Sequence, residues 1–440
     1  MAVTVTLTIE SRPYYVVAIT KGRDAVNEFF EFHLTIRHEF ESDIPFRLAQ
    51  LAVLEITDTE DHHTLTYTGE IVFAKINIAM SESNSNEVDK LLNIQIRPKG
   101  WQVLNHKAVR LLEVSDEEED PVNYSFPVLP TTEDINRILN ISGFEAESGW
   151  VETLADADLY SFRLDWWQNQ LGFQIQETNA QLFSRLVWKL GASFIYAASQ
   201  TSHLWLIAAD ICPVPGNRKV LEETKVSRLS IQVSLENRFS RWHRDQLDQI
   251  NRLSVLDDKV ELSDANYSED DRSVSHRASV PISCDQPFDY RPARKSHAPL
   301  TINAVEVNHV FDHRHGYYAD VVGILSAPDE YFDFSVLDAP PPLFTIPVIA
   351  TAHSTEGGKW GDRDSKMRYQ IRFDFEKTVD EKKYFPTGWL YRMQPDVSLS
   401  GGGDYSALPH GVKVMVQMVN GDREQPVIVG TFVTKRRSIV

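Results

Sequence analysis

Two pairs of histidines are the residues in this 440-residue chain whose types could hold a metal. His313 and His315 stand two apart in Asp312-His313-Arg314-His315-Gly316, and His62 and His63 are adjacent. A structural zinc site draws four ligands from a Cys/His framework at set spacing, and neither pair has one. Neighbours on a strand also point to opposite faces, so His62 and His63 would not converge. Both pairs read as solvated histidines, and no metal ligand is assigned. Gly401-Gly402-Gly403 could suggest a phosphate cradle. It is followed by Asp404-Tyr405-Ser406 where a phosphate loop needs Gly-Lys-Ser/Thr opening a helix, so a flexible loop is the reading. Acids are plentiful, yet glycoside cleavage needs two carboxyls held at a set separation, and sequence order cannot pair them. Neither a Gly-x-Ser-x-Gly elbow nor a His-Glu-x-x-His helix occurs. No catalytic residue and no cofactor is assigned.

A third chemistry is base stacking, for which Trp389, Tyr391 and Tyr369 are candidates. They lie in the stretch 346–440, and its pattern decides between stacking and packing. Tyr369, Ile371, Phe373 and Phe375 alternate with Arg368, Gln370, Arg372 and Asp374, the period-two signature of a strand with one buried face. Trp389 to Gln394, Val412 to Met418 and Gln425 to Gly430 read as further strands, with Asn420-Gly421 as a turn. About five short strands with turn residues between them predict a small closed barrel of the OB type. Its expected core comprises Tyr369, Ile371, Phe373, Trp389, Val414 and Val416, because alternating aromatics are more often packed than stacked on a ligand.

The rest of the chain must position this barrel. Residues 1–115 read as strands: Val3, Val5, Leu7 and Ile9 alternate with polar residues, as do Phe30, Phe32, Leu34 and Ile36. Thr64 to Ile76 reads as a strand pair turning at Gly69. The run Asp116-Glu117-Glu118-Glu119-Asp120 is expected to be a solvated linker. Residues 116–212 carry a helical pattern after Thr131-Thr132-Glu133-Asp134 and a second helix from Asn179 to Leu190 ending at Gly191. An aromatic hairpin, Phe194-Ile195-Tyr196 with Leu204 to Ile207, follows. Strands return over 213–345, where Ser263 to Arg277 reads as a loop or insertion and Ile302–Phe311 with Tyr317–Ile324 as a hairpin. Pro340-Pro341-Pro342 closes that region before the terminal barrel, 346–440. The expected fold is mainly β with a minor α+β part.

Net charge is −19 and unevenly placed: from Ile346 onward there are 14 Lys+Arg against 11 Asp+Glu, leaving 30 against 52 before it. An acidic body repels phosphate backbones, which argues against nucleic acid as a partner. Two cysteines, Cys212 and Cys284, make no disulfide framework and suit a reducing compartment. The amino terminus alternates like a strand and lacks the basic start and apolar run of a signal peptide. No apolar run is long enough to cross a membrane.

The order Tyr-x-Ile-Arg-Phe-x-Phe from Tyr369, Trp389-Leu390-Tyr391-Arg392-Met393-Gln394-Pro395, a Gly-rich loop, Leu408-Pro409-x-Gly411-Val412, and Asn420-Gly421-Asp422-Arg423-Glu424-Gln425-Pro426-Val427-Ile428-Val429-Gly430 resembles the OB collar of VgrG spike proteins. Related collars occur in phage baseplate hubs. The resemblance implies two tube-type antiparallel β-barrels (1–115 and 213–345), an α+β inner domain between them and the collar. It implies a non-enzymatic structural hub of a contractile injection system, a homotrimer that joins a sixfold Hcp-like inner tube protein to a threefold spike or PAAR-like tip protein and contacts baseplate proteins. Assembly would begin in the cytoplasm and end in a secreted or virion-like particle. Family members commonly continue into a β-helical needle, whereas this sequence stops at Val440. Either a needle was removed or a separate chain supplies the spike, and in the second case Lys435, Arg436 and Arg437 are the expected tip-docking residues. Two other classes stay open at this point, a baseplate-associated glycan or peptidoglycan hydrolase and an OB-fold nucleic-acid binder.

Overall fold

A computed structural model describes residues 3–38, 47–78, 90–113, 151–153, 171–189, 192–199, 204–208, 219–222, 225–233, 272–291, 300–326, 344–364, 368–373, 377–379, 382–384, 387–392, 407–418, 421 and 426–432. The acidic run from Asp116, the first helical pattern and Gly401 to Gly403 lie outside them. The chain is mainly β, and two of its sheets close into barrels.

The first barrel begins with β1 (Val3–Ile9), whose Val3, Leu7 and Ile9 face inward while Thr4 and Thr6 are exposed. Glu10 and Ser11, both at positive φ (44° and 68°), turn the chain into β2 (Arg12–Ala25). Paired positive φ values match the right-handed twist of a two-residue hairpin. Next come β3 (Glu31–His38), β4 (Leu51–Asp58), β5 (Thr64–Ile78) and β6 (Lys90–Pro98). Hydrogen bonds run in the order β1-β4-β5-β6-β3-β2, all antiparallel, and β2 returns to β1 to close six strands. Phe32, Leu34, Leu54, Ile56, Tyr67 and Ile96 fill the interior. Burying each such side chain stabilises by about 1.5–3 kcal/mol.

The sequence reading of Thr64 to Ile76 as two strands around Gly69 is corrected: β5 is one long strand, and Gly69 sits in its middle opposite Ala52 and Pro98. A Cβ there would lie 2.2 Å from the Arg97 carbonyl oxygen, so the glycine serves close backbone approach rather than a turn. Beyond β6, α1 (Trp101–Leu104) has its first amides held by the Glu70 carboxylate, with the Arg97 guanidinium 4.6 Å over the Trp101 ring.

The middle of the chain supplies β7 (Lys107–Glu113), β8 (Val151–Thr153), β9 (Leu171–Thr178), α2 (Asn179–Lys189), β10 (Ala192–Tyr196) and β11 (Leu204–Ala208). Thr178 and Gln181 form a capping box at the start of α2: each side chain accepts from the other's backbone amide, at 3.2 and 2.8 Å. The β10–β11 hairpin forms as its aromatic pattern predicts.

Strands then return as β12 (Lys219–Glu222), β13 (Val226–Val233), β14 (Arg272–Ala278), β15 (Phe288–Arg291), β16 (Leu300–Asp312) and β17 (Gly316–Ser326). The polar end of the stretch read as a loop is in fact β14, seated between β13 and β17. His276 and Ala278 occupy inward places there while Ser275 is exposed; a histidine at an inward position disguises the period. These strands continue the first barrel's own sheet, because β16 pairs with the later part of β2. Gly22 permits that approach: a Cβ on it would meet the His309 carbonyl at 2.8 Å and the Phe32 ring at 2.8 Å.

The described residues divide into two compact units. One holds Met1–Asn105, Pro127–Phe162 and Phe183–Pro340; the other holds His106–Phe126, Arg163–Leu182 and Pro341–Val440. In the second, β18 (Val348–Ala352), β19 (Tyr369–Phe373), β22 (Thr387–Arg392), β23 (Lys413–Met418) and β24 (Pro426–Phe432) close a five-stranded barrel. A small hairpin, β20 (Lys377–Val379) with β21 (Lys382–Tyr384), is inserted between β19 and β22. Order β18-β19-β22-β24-β23, with β22 and β24 parallel, is the OB topology.

Substituting Gly22→Ala is expected to lower stability by about 1–3 kcal/mol, since the new methyl meets backbone on one side and a packed ring on the other. Thermal unfolding measures it; an unchanged melting temperature would show that β16 does not press on β2 in solution.

Candidate assembly site

The terminal barrel is the part of the molecule whose surface can be built residue by residue. Along β19, Tyr369, Ile371 and Phe373 are buried; along β23, so are Val414, Val416 and Met418; and Ala350, Ala352, Leu390 and Ile428 complete the interior. Two alanines on β18 leave room for the Phe373 and Tyr369 rings, the small-against-large filling that a narrow barrel needs.

Trp389 departs from the expected core. It is only half-buried, and its neighbour Leu390, 2% exposed, takes the inward place while Tyr391 is exposed. The register explains this: Leu390 stands opposite the inward Tyr369, so Trp389 and Tyr391 must face out. Of the three stacking candidates, Tyr369 is therefore interior, and only Trp389 and Tyr391 reach the surface. Lys435, Arg436 and Arg437 lie outside the described residues.

One end of the barrel is tied by a polar knot. Ser354 donates its hydroxyl to Asp362 (2.8 Å) and its amide to His410 Nδ1 (2.9 Å), while the Thr355 amide reaches the second Asp362 oxygen at 2.6 Å. The Thr355 amide and the Ser354 hydroxyl hold the Asp362 carboxyl below its ordinary range. Burial, Arg372 and the neighbouring His410 push His353 down, so this imidazole favours its neutral form. Trp360 projects from the knot, about half exposed, with Lys359 Nζ 5.3 Å from its ring.

The side wall is different in character. Ile349 on β18 pairs with Met415 on β23, and Val427 on β24 stands between Gln417 and Tyr391. Ile349 and Tyr391 are 40% and 44% exposed, and Met415 and Val427 are half-buried, so apolar side chains take outward places on four strands as two cross-strand pairs, Ile349 with Met415 and Val427 with Tyr391, and the exposed Gln417 stands beside Val427. Phe432 and Ile346 add exposed apolar surface at 39% and 52%. Exposed apolar side chains gathered on one wall are a feature of interaction sites. Sequence reasoning missed them, because which of two alternating sets faces out depends on strand register, and β24 carries an extra residue, Val429, opposite the step from Met415 to Val416 on β23.

The histidine pairs sit in turns. His62, at φ 53°, belongs to the β4–β5 connection, and His313 and His315 lie at the tip of the β16–β17 hairpin, where the Asp312 carboxylate accepts from the amides of Arg314 and His315. Among the described residues no group of three His, Cys, Asp or Glu side chains is placed to hold a metal ion.

No protein-family model matches the chain, and no curated protein sequence matches it. Solved structures do match in fold. An E. coli protein, c3393, described as a component of the type VI secretion system with structural similarity to the T4 bacteriophage tail proteins gp27 and gp5, aligns at TM-score 0.62 and 14% identity, covering 97% of this chain and 99% of that one. VgrG in the lidded Francisella PdpA-VgrG complex aligns at TM-score 0.59 and 8% identity over 100% of this chain and 72% of that one. The lidless form of the complex gives 0.56 and 9%, over 100% and 88%. The chain shares its fold with these type VI secretion and VgrG structures.

Replacing Phe373 by Asp buries a carboxylate without a partner, which costs several kcal/mol. The expected outcome is loss of the collar's unfolding transition in calorimetry, while Arg372→Ala, on the outward face of the same strand, leaves it in place. A soluble Phe373→Asp protein with a native transition would overturn the face assignment.

Proposed function

We propose that the chain is a structural hub of a contractile injection machine, working as a homotrimer that joins a sixfold inner tube of Hcp-like subunits to a threefold spike. The observation that carries this reading is the chain-long likeness to the E. coli type VI component, which spans the first barrel and the collar together rather than either alone. The physical task is symmetry matching. Three chains that each contribute two strand-rich regions, 1–115 and 213–345, present six similar surfaces to a sixfold tube. The 116–212 region connects them, and the collar, 346–440, narrows the assembly to threefold. The role is structural rather than enzymatic. In the Francisella complexes VgrG is found with PdpA, which supports a spike-bound partner for this chain as well. Baseplate proteins are proposed as further partners, and the protein is proposed to assemble in the cytoplasm before joining a secreted or virion-like particle.

The outward apolar pairs Ile349–Met415 and Val427–Tyr391 are the surface the collar would bury between copies. Obligate interfaces bury apolar area and exclude charge at their centre. Native mass spectrometry is expected to show three chains, and the double variant Ile349→Asp/Tyr391→Asp is expected to shift the population toward monomer by at least tenfold while keeping the collar folded. A wild-type monomer at every concentration, with inner tube and spike proteins added, would overturn the reading.

A separate tip protein would be gripped at Lys435, Arg436 and Arg437. Three residues in three copies place nine positive charges about one axis, an array that repels itself and favours an acidic partner. Removing the residues after Val433 is expected to weaken capture of a PAAR-like tip in pull-down by tenfold or more without altering oligomer mass. Unchanged capture would make this end a passive tail.

A further inference from the structure

The join between the first barrel and the β16–β17 hairpin contains a chain of buried polar side chains that the hub role does not require. Asp24 on β2 is fully buried, as are Tyr67 on β5 and His309 on β16; Tyr317 on β17 is 9% exposed. The Tyr67 hydroxyl donates to Asp24 Oδ2 at 3.0 Å and lies 3.1 Å from His309 Nε2, and His309 Nδ1 lies 2.7 Å from the Tyr317 hydroxyl. Because Tyr67 gives its only proton to Asp24, its oxygen accepts from His309 Nε2–H, which leaves Nδ1 to accept from Tyr317. All three hydrogen bonds therefore run toward Asp24, and the imidazole is neutral.

Among the described residues Asp24 Oδ1 has no hydrogen-bond partner, although it is buried. That oxygen is where a proton resides in the neutral acid, and where charge would stand without a donor once the proton left. A second carboxyl, Asp285, lies nearby and is treated differently by the fold. It accepts from the Ser199 amide (3.0 Å), the Ser199 hydroxyl (2.6 Å) and the Ser283 hydroxyl. With three donors against one, Asp285 is the member of the pair equipped to hold a negative charge. The other groups facing Asp24 are Cys284, whose Sγ donates to the Asp24 carbonyl, and Tyr196 on β10, stacked 5.7 Å from Tyr67. Arg23, adjacent on β2, is engaged outside with Glu28 (2.8 Å) and Glu306 (3.3 Å) and brings no compensating charge inward.

We propose that Asp24, Tyr67, His309 and Tyr317 form a proton-linked latch between the first barrel and the β16–β17 hairpin, closed while Asp24 holds its proton and loosened when that proton passes to solvent. Burial, reinforced by the charge of Asp285, pushes Asp24 up to about 7, so the change falls near neutrality. Burial pushes His309 down to about 3, so the imidazole stays neutral through the same range.

The sign of the pH dependence follows from proton counts. Between about 4 and 7 the folded state keeps a proton on Asp24 that the unfolded chain has lost, so this residue's contribution declines as pH rises. His309 acts oppositely: from about 6.5 down to 3 the unfolded chain binds a proton that the folded state refuses, so its contribution declines as pH falls. The two oppose each other in the intact protein, and single substitutions expose each slope.

The test uses the full chain. In the unsubstituted protein, infrared spectroscopy is expected to show a buried carboxylic acid band that disappears with a midpoint near pH 7 and is absent from Asp24→Asn. In denaturant unfolding from pH 4 to 7, the unfolding constant of Asp24→Asn relative to the parent is expected to fall about tenfold per pH unit. For His309→Gln the same ratio rises with pH instead. Amide exchange in β16 and β17, corrected for intrinsic base catalysis, should accelerate above pH 7 in the parent and not in Asp24→Asn. Loss of the acid band at ordinary carboxyl pH, or a flat Asp24→Asn profile, overturns the proposal. So does equal acceleration of exchange in both proteins, and so does a parent protein with no carboxylic acid band above ordinary carboxyl pH, a result that needs no variant to fold.

Discussion

One strand with three partners governs the larger unit. β2 is 14 residues long, and along one edge it bonds to β3. Its other edge is divided, with Arg12 to Tyr15 closing the barrel against β1 and Ala18 to Ala25 pairing with β16. A shorter β2 would close the barrel and leave β16 with an open edge, or pair β16 and leave the barrel open. Bulges let the strand bend between these duties: its ladder with β3 shifts register twice, and that with β16 once. The described strands between Lys219 and Ser326 inherit their place from this division, because β17, β14 and β13 are added in turn to β16 and β15 also pairs with it.

The polar groups at that junction are a consequence of the same geometry. Gly22 lets the β16 backbone come close, which brings His309 against the Phe32 and Tyr67 rings, at 5.6 and 5.7 Å between centroids. A seam this tight leaves little room for water, so each buried donor must find a protein partner or go without. The hydrogen-bonded run from Tyr317 to Asp24 satisfies most of them across four strands from two distant parts of the sequence. Such a network costs desolvation, yet it fixes one register where apolar contact alone would tolerate sliding.

In the collar the constraint is closure again, reached by a different route. The parallel contact between β22 and β24 completes the ring, and with it the only interior available to Phe373 and Tyr369. Closure also determines what remains outside: outward apolar pairs on the wall, and at one end a loop knot gathered around Asp362. This stretch is mildly basic, with 14 Lys+Arg against 11 Asp+Glu from Ile346 onward, on a chain whose net charge is −19.

Local chemistry in the amino-acid order was enough to read the strand periods, the α2 helix from Asn179 and the hairpins at Phe194 and Asp312. It was also enough for the OB character of the last stretch, since alternation and turn residues are properties of neighbours in the chain. Three features depended on contacts between distant segments. Gly69 looks like a turn in sequence, and only the Arg97 backbone pressed against it shows why β5 runs straight through. Trp389 looks like core, and only its register against Tyr369 turns it outward in favour of Leu390. His276 conceals the period of β14 because a polar residue occupies an inward place in a sheet packed against Phe288. Pattern reports that two faces exist, but the choice of buried face is made by pairing, since a shift of one residue exchanges every side chain between core and solvent.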